Sequence, residues 1–226
     1  MKRLCRMLFS LLLSLSLCAG KHPARSVPKG GFQAKRNRLI VIDPGHGGED
    51  RGAVAPSVRE KTLTLSTAFL LKRYLRGMGY PVVLTRSRDL FLPLKMRVSI
   101  TRGMRSRIFV SLHYNAFRKE TVEGVEVYYY GKGPSKRIKA SKRLAGCILS
   151  RILFHTKAVS RGTKHGNFHV IRETGIPAVL VEGGFITHPG ERKRLTDPRY
   201  VHRLVRGIAE GIALYFGEGS GDRPPL

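Results

Sequence analysis

The stretch Leu39-Ile40-Val41-Ile42-Asp43-Pro44-Gly45-His46-Gly47-Gly48-Glu49-Asp50 decides how this chain is read. Its first four residues are apolar and mostly β-branched, the pattern of a strand covered on both faces. Pro44 and the glycines at 45, 47 and 48 then break regular structure. His46 is thereby delivered at the carboxyl end of a strand, on a turn with little side-chain bulk. Open parallel sheets hold their ligands at that end. Alone, His46 also fits an ordinary turn histidine, so its meaning depends on what else converges there.

Working outward, apolar runs and helical periods alternate. After a polar, Gly-rich loop from Pro44 to Arg59, Glu60 opens an amphipathic helix with Leu63, Ala68, Leu71 and Leu75 inside, ended by Gly77 and Gly79. Strands are expected at Pro81 to Thr85, Ile108 to Leu112 and Ala178 to Val181. Gly124 to Tyr130 alternates Val125, Val127 and Tyr129, a half-buried strand near a sheet edge. Helices are expected at Leu94 to Gly103, Ser135 to Phe154, Glu191 to Leu195 and Tyr200 to Phe216. Ala158 to Asn167 reads as a basic loop, Phe168 to Arg172 as a strand, and Gly183-Gly184-Phe185 as a turn. The fold class is α/β: a single domain, a twisted and mostly parallel β-sheet flanked by helices.

The ends differ from the middle. Lys2, Arg3 and Arg6 precede the apolar run Met7 to Leu17, with Cys18-Ala19-Gly20 offering small residues for cleavage. Residues 1–20 are expected to be a signal peptide, and the protein to be exported to the periplasm or cell envelope. Cys18 opens a lipidation alternative, against which bulky Leu17 speaks. Residues 21–37 are basic and aperiodic, a flexible linker. The catalytic domain spans 38–217, and 218–226 form a disordered tail. The Ser26-Val27-Pro28-Lys29 pattern lacks the helix start and the partner motifs that acylating Ser-x-x-Lys chemistry requires. With the leader gone, Cys147 remains as a core thiol and no internal disulfide is available. Lys and Arg number 42 against 15 Asp and Glu, a formal +27, or +24 without the leader's three basic residues. Such a field favours the anionic cell envelope. Export, together with the lack of zinc-finger spacing or an aromatic RNA-binding motif, excludes nucleic acid as the expected partner.

Three strands carry a chemical group at their carboxyl end: His46, His113 and Glu182. Helices that follow parallel strands start on that same side, so the Glu60 carboxylate can reach the group. Two His and one Glu form a known ligand set for catalytic zinc, with a fourth position left for water. A further carboxylate then serves as general base. Each residue has a plainer explanation: Glu60 as an acid favoured by its helix dipole, His113 as a core histidine. Glu182 resists one, since a carboxylate between four apolar residues and two glycines is costly unless it is paired or used.

Six segments resemble the zinc-dependent N-acetylmuramoyl-L-alanine amidases of bacterial cell walls. They are Ile42 to Gly48, Arg59-Glu60-Lys61, Leu84-Thr85-Arg86, Phe109 to Ala116, Gly124 to Tyr129 and Val181 to Thr187. The resemblance implies one Zn2+ held by His46, Glu60 and His113, with Glu182 as catalytic base. The implied reaction cleaves the amide between N-acetylmuramic acid and L-alanine of the peptidoglycan stem peptide. The glycines near His46 are expected to keep the metal's open side free. Asn115, His165 and His169 are substrate-side candidates, and His188 stands where the family commonly has Asn. A division-machinery regulator is a partner the family suggests, and a monomer is expected. Regulated members carry a long insertion after the strand ending near Tyr130; here only Gly131 to Pro134 follow, which implies an uncovered site. Two other readings use the same residues: a zinc peptidase or deacetylase on another wall amide, and a non-catalytic wall-binding protein.

Overall fold

The computed structural model describes Lys35 and residues 37–217. The leader, the linker apart from Lys35 and Asn37, and the tail lie outside the described residues. Lys35 itself donates to the Met78 carbonyl.

The chain alternates strands and helices as β1 (Ile40–Pro44), β2 (Val54–Ala55), β3 (Val58–Arg59), α1 (Glu60–Gly77), β4 (Val82–Leu84), α2 (Leu94–Gly103), β5 (Ile108–Asn115), β6 (Val125–Tyr129), α3 (Ser135–Thr156), β7 (Ser160–His165), α4 (His169–Glu173), β8 (Ala178–Phe185), α5 (Pro189–Thr196) and α6 (Pro198–Tyr215). Six strands form one sheet in the order β4-β1-β5-β8-β6-β7. β4, β1, β5 and β8 are mutually parallel, whereas β6 runs antiparallel to β8 and β7 parallel to β6. The α/β class and the mostly parallel sheet are as the sequence pattern implies.

The continuous apolar runs are explained by cover on both faces. Ile40, Ile42, Val110 and Val181 point into the large core with α1, α3 and α6, while Val41, Phe109 and Leu180 join Val170 and Ile171 on the other side. Cys147 is a free, buried thiol in the larger core. α3 and α6 approach very closely. A methyl built on Gly207 would lie 2.6 Å from the Ile152 backbone, and one on Gly211 2.5 Å from that of Ile148.

Three local expectations are corrected. Ser160–His165 is a strand, pairing with β6 at the sheet edge. A six-residue polar segment without apolar alternation carries no strand signal, because an edge strand need not bury either face. His169–Glu173 is a short helix and not a strand; its Val and Ile favour strands locally but here pack under the sheet as one helical turn. Gly183, Gly184 and Phe185 continue β8, so Glu182 and likewise His113 sit within strands and not at their ends. The Pro44–Arg59 loop also contains the small β2–β3 hairpin.

The close helix crossing reverses the usual sign of a helical Gly→Ala change. Gly211→Ala is expected to lower stability by about 1–2 kcal/mol, overpacking outweighing the propensity gain. Urea unfolding of the variant against wild type measures it, and an increase in stability would contradict the packing described.

Candidate active site

Glu60 is the first residue of α1. The α1 N-cap, Arg59, makes no side-chain cap bond, and the Glu60 carboxylate does not serve the helix dipole. It turns outward to accept from the backbone amides of Ala53 (2.8 Å) and Tyr114 (3.1 Å). Its Oε2 lies 3.0 Å from His46 Nε2 and its Oε1 2.9 Å from His113 Nδ1. The two imidazoles meet edge to face, ring centres 4.9 Å apart. One donor atom from each of His46, Glu60 and His113 lies within 4.8 Å of the others.

His46 reaches this point through a strained backbone. It is left-handed, φ 59°, a conformation costly for a residue with a side chain. Two buried arginines hold the turn. Arg97 donates to Asp43 Oδ1, the Pro44 carbonyl and the His46 carbonyl, at 2.7–2.8 Å. Arg86 donates to the carbonyls of Pro44 (3.0 Å) and Gly45 (2.8 Å). Asp43 is locked by Thr85, Ser111 and Arg97. Asp50 then holds the His46 ring, both its oxygens 2.9 Å from Nδ1. The glycines have a different purpose from the one expected. A methyl on Gly45 would lie 2.3 Å from the His113 ring, and one on Gly52 2.5 Å from the Glu60 carboxylate. They admit the site's own side chains and do not merely leave solvent space.

Glu182 completes the cluster from β8. Its backbone pairs with His113 on one side and Glu126 on the other, so the three side chains leave one face of adjacent strands. The β5–β8 register shifts between His113 and Asn115, and Gly184 takes φ 142° there. Irregularities of this kind re-aim side chains beside active sites. Glu182 is only 9% exposed, and none of the described residues hydrogen-bonds its Oε2.

The charges are sharply sorted. Burial, then the negative charges of Glu60 and Glu126, push the Glu182 carboxyl well above the carboxylate range. Glu126 is 2% exposed, yet bonds to Lys164, Tyr128 and Arg161 overcome its burial and lower its pKa. Glu60 is likewise held well below the usual range by His113 and His46, against the opposing pull of burial. Burial is the largest influence on His46 and lowers it, but Glu60 and then Asp50 outweigh it and raise its pKa. Neighbouring carboxyls driven in opposite directions mark an acid–base assignment.

The remaining candidates are placed elsewhere. Asn115 donates to Glu126 Oε1 at 2.9 Å and so belongs to the network beside Glu182. His165 is not on the metal edge: it pairs with Tyr129, which pairs with Val179 near the start of β8. The reversal of β6 and β7 carries it to the opposite edge. His169 opens α4, its ring 3.4 Å from Arg172. His188 caps α5, accepting from the Glu191 amide at 3.1 Å. Sequence reading missed Asp43, Asp50, Arg97 and Glu126; for Asp43, Arg97 and Glu126 a charge between apolar neighbours was the available signal, and half-exposed Asp50 carried none.

The residues fit a metal. Two neutral-capable imidazoles and one carboxylate converge from three elements on a single point. Without a cation, both contacts to Glu60 require a proton on each ring. Mixed N and O donors suit zinc. Fold and site together define an α/β protein with a candidate metal centre on the carboxyl edge of its parallel strands. Comparison with known proteins identifies that class further. Residues 40–214 match the N-acetylmuramoyl-L-alanine amidase family model. The germination-specific N-acetylmuramoyl-L-alanine amidase of Bacillus subtilis is 30% identical over 203 residues, covering 83% of each chain. A probable cell wall amidase, LytH, of Staphylococcus epidermidis is 34% identical over 88% of this chain, which spans 66% of that protein. The catalytic domain of CwlV from Bacillus (Paenibacillus) polymyxa superposes with TM-score 0.74 at 39% identity, covering 80% of this chain and 99% of that one. The chain belongs to the N-acetylmuramoyl-L-alanine amidase family.

Asp50→Asn is expected to weaken zinc binding by about 10–100-fold through its hold on His46, and Glu60→Gln to abolish stoichiometric zinc after dialysis. Metal analysis by mass spectrometry checks both. Retention of one zinc per chain by Glu60→Gln would remove it from the ligand set.

Proposed function

We propose that the protein is an exported, zinc-dependent N-acetylmuramoyl-L-alanine amidase acting on peptidoglycan. The observation that carries this reading is the convergence of His46, Glu60 and His113 beside a buried carboxyl oxygen of Glu182 that has no hydrogen-bond partner among the described residues. His46, Glu60 and His113 would hold the ion. When bound, zinc supplies Lewis-acid polarisation of a carbonyl and acidification of water.

The protein's own groups then account for the proton path. Burial and then the Glu60 charge raise Glu182; a cation held by Glu60 would offset the second of these and favour Glu182 as a proton acceptor. Glu182 takes the proton from the attacking water and delivers it to the leaving amino group of L-alanine. Its carboxyl is desolvated, which keeps the proton on this short path instead of losing it to bulk water. Glu126 remains ionised beneath Arg161, Lys164 and Tyr128 and so does not compete for the proton.

The connection after β6 does not lie over the metal group. Tyr129 and Ser135 are joined by five residues, 130–134, on the edge opposite the metal group. We take the site to be uncovered and active without a regulator. A related amidase, CwlD of Clostridioides difficile, has been solved in complex with the GerS lipoprotein, so this is a point on which relatives can differ. The leader-like residues 1–20 support export.

Two measurements test the proposal. Purified protein with zinc is expected to digest peptidoglycan and release stem peptides bearing a free L-alanine amino terminus, identified by mass spectrometry. Glu182→Gln should cut the rate by about 100- to 10,000-fold, the usual contribution of a positioned base, while retaining zinc. Full activity of that variant would refute the mechanism. Separately, wild type should need no added protein; dependence on an activator would show that something covers the site.

A further inference from the structure

The strongest unassigned feature lies at the other end of the sheet. A cavity of about 800 Å³ is lined by Arg38, Arg107, Lys136, Arg137 and Arg143 and floored by Ile176, Pro177 and Phe216, with no acidic residue on its wall among the described residues. Arg38 precedes β1, Arg107 precedes β5, and Ile176 and Pro177 precede β8. The cavity therefore opens on the amino edge of the parallel strands. Roughly 15 Å of β8 separates it from Glu182, at about 3.3 Å per residue.

Several of its cations are held in place. Arg143 lies over the Tyr215 ring at 4.2 Å and Arg38 over Phe216 at 5.1 Å. Arg137 donates to the carbonyls of Ile171 (2.6 Å) and Arg172 (2.9 Å). Like charges fixed around an open cavity repel one another, and such a field favours an anionic occupant. The turns that lead into β1 and β5 and the start of α3 carry Lys or Arg on this edge. Its one acid among the described residues, Glu173, is paired with Arg172 at 2.6 Å. The acids that build the catalytic cluster all lie toward the opposite edge. Beside the cavity, Met104 is 44% exposed between Arg102 and Arg105.

The chain itself indicates what covers this face. It enters the fold here, through Arg38. The preceding residues 21–37 include Lys21, Arg25, Lys29, Lys35 and Arg36 and follow the apolar run Met7 to Leu17. A basic segment without acids that leads into a cationic cavity has the composition of a sequence that lies on anionic lipid. We propose that the amino-edge cavity binds the phosphate headgroups of an anionic lipid bilayer. The protein would thereby lie with this edge on the membrane and its metal edge facing away, toward the wall. The cations supply the phosphate contacts, and the apolar floor and Met104 suit the glycerol and upper acyl region. This proposal stands apart from the amidase reading, because it involves none of the metal-edge residues.

The test uses the chain from Lys21 onward, the form expected once the leader is removed. Arg107→Gln/Lys136→Gln is compared with Arg118→Gln/Lys119→Gln, which removes the same charge from an exposed loop on the metal edge. Co-sedimentation is measured with phosphatidylcholine vesicles, with and without phosphatidylglycerol. The cavity pair is expected to lose roughly 30-fold of the phosphatidylglycerol-dependent binding, as two basic residues at an anionic surface imply, and the loop pair less than about twofold. Both should digest peptidoglycan at the wild-type rate without lipid, which shows that they are folded. Equal losses in the two pairs would reduce the effect to net charge and overturn the proposal, as would no loss in either. A third arm replaces vesicles with soluble poly(glycerol phosphate). If the cavity pair loses that binding and keeps its lipid binding, the cavity serves a wall polymer and the membrane assignment fails.

Discussion

One buried carboxylate shared by two imidazoles is the constraint around which this fold is arranged. Glu60 sits at the start of α1, His46 on the turn after β1 and His113 within β5, and each comes from a separate segment. They meet only if β1 and β5 are adjacent and parallel and if α1 begins on the edge where both strands end. The β1–β5 register, the β2–β3 hairpin that leads into α1, and the Ala53 and Tyr114 amides bonded to Glu60 all serve that placement. A buried, ionised carboxylate is expensive without partners. Here four groups partner it, two of them backbone amides that cannot move away without breaking the fold.

The turn bearing His46 shows how strain is sustained. A left-handed histidine between glycines would relax if left to itself. Asp43, buried one step earlier, anchors Arg97, whose fork spans the carbonyls on either side of Gly45. The guanidinium geometry matters: planar, multidentate donors fix several acceptors at once. The site thus rests on a second, fully protein-made polar cluster directly beneath it. That cluster lies in the interior because Asp43 and Arg97 neutralise each other at 2.8 Å.

Much of this was legible in the sequence, for identifiable reasons. The four parallel strands announce themselves because strands covered on both faces must be continuously apolar. His46, Glu60, His113 and Glu182 stand out because polar groups at such positions need a purpose. What stayed hidden was the polarity of the last two strands. β7 carries no apolar signal, and nothing local in Val125 to Tyr129 distinguishes an antiparallel strand from a parallel one. The placement of His165 follows directly: it was read as part of a basic loop on the substrate side, whereas it ends β7, and the reversed direction of that strand carries it to the far edge. Glu126 was overlooked for a related reason, as the alternation of Val125 and Val127 pointed to an exposed residue between them. Its partners, Arg161 and Lys164, come from the strand that sequence could not reveal.

That reversal has a physical consequence for the site. Because β6 runs against β8, residues near its beginning stand beside residues near the end of β8, which puts Glu126 next to Glu182. Two carboxyls on neighbouring strands cannot both be ionised in a dry interior without compensation. The protein resolves this asymmetrically: Glu126 receives two cations and a phenol from β6 and β7, whereas Glu182 Oε2 has no hydrogen-bond partner among the described residues. The polar side chains of the edge strand neutralise Glu126, which leaves Glu182 as the carboxyl raised by burial and by the neighbouring charges. The antiparallel addition is thus tied to the chemistry of the site, and its weak strand signal and its contribution to the site have the same cause.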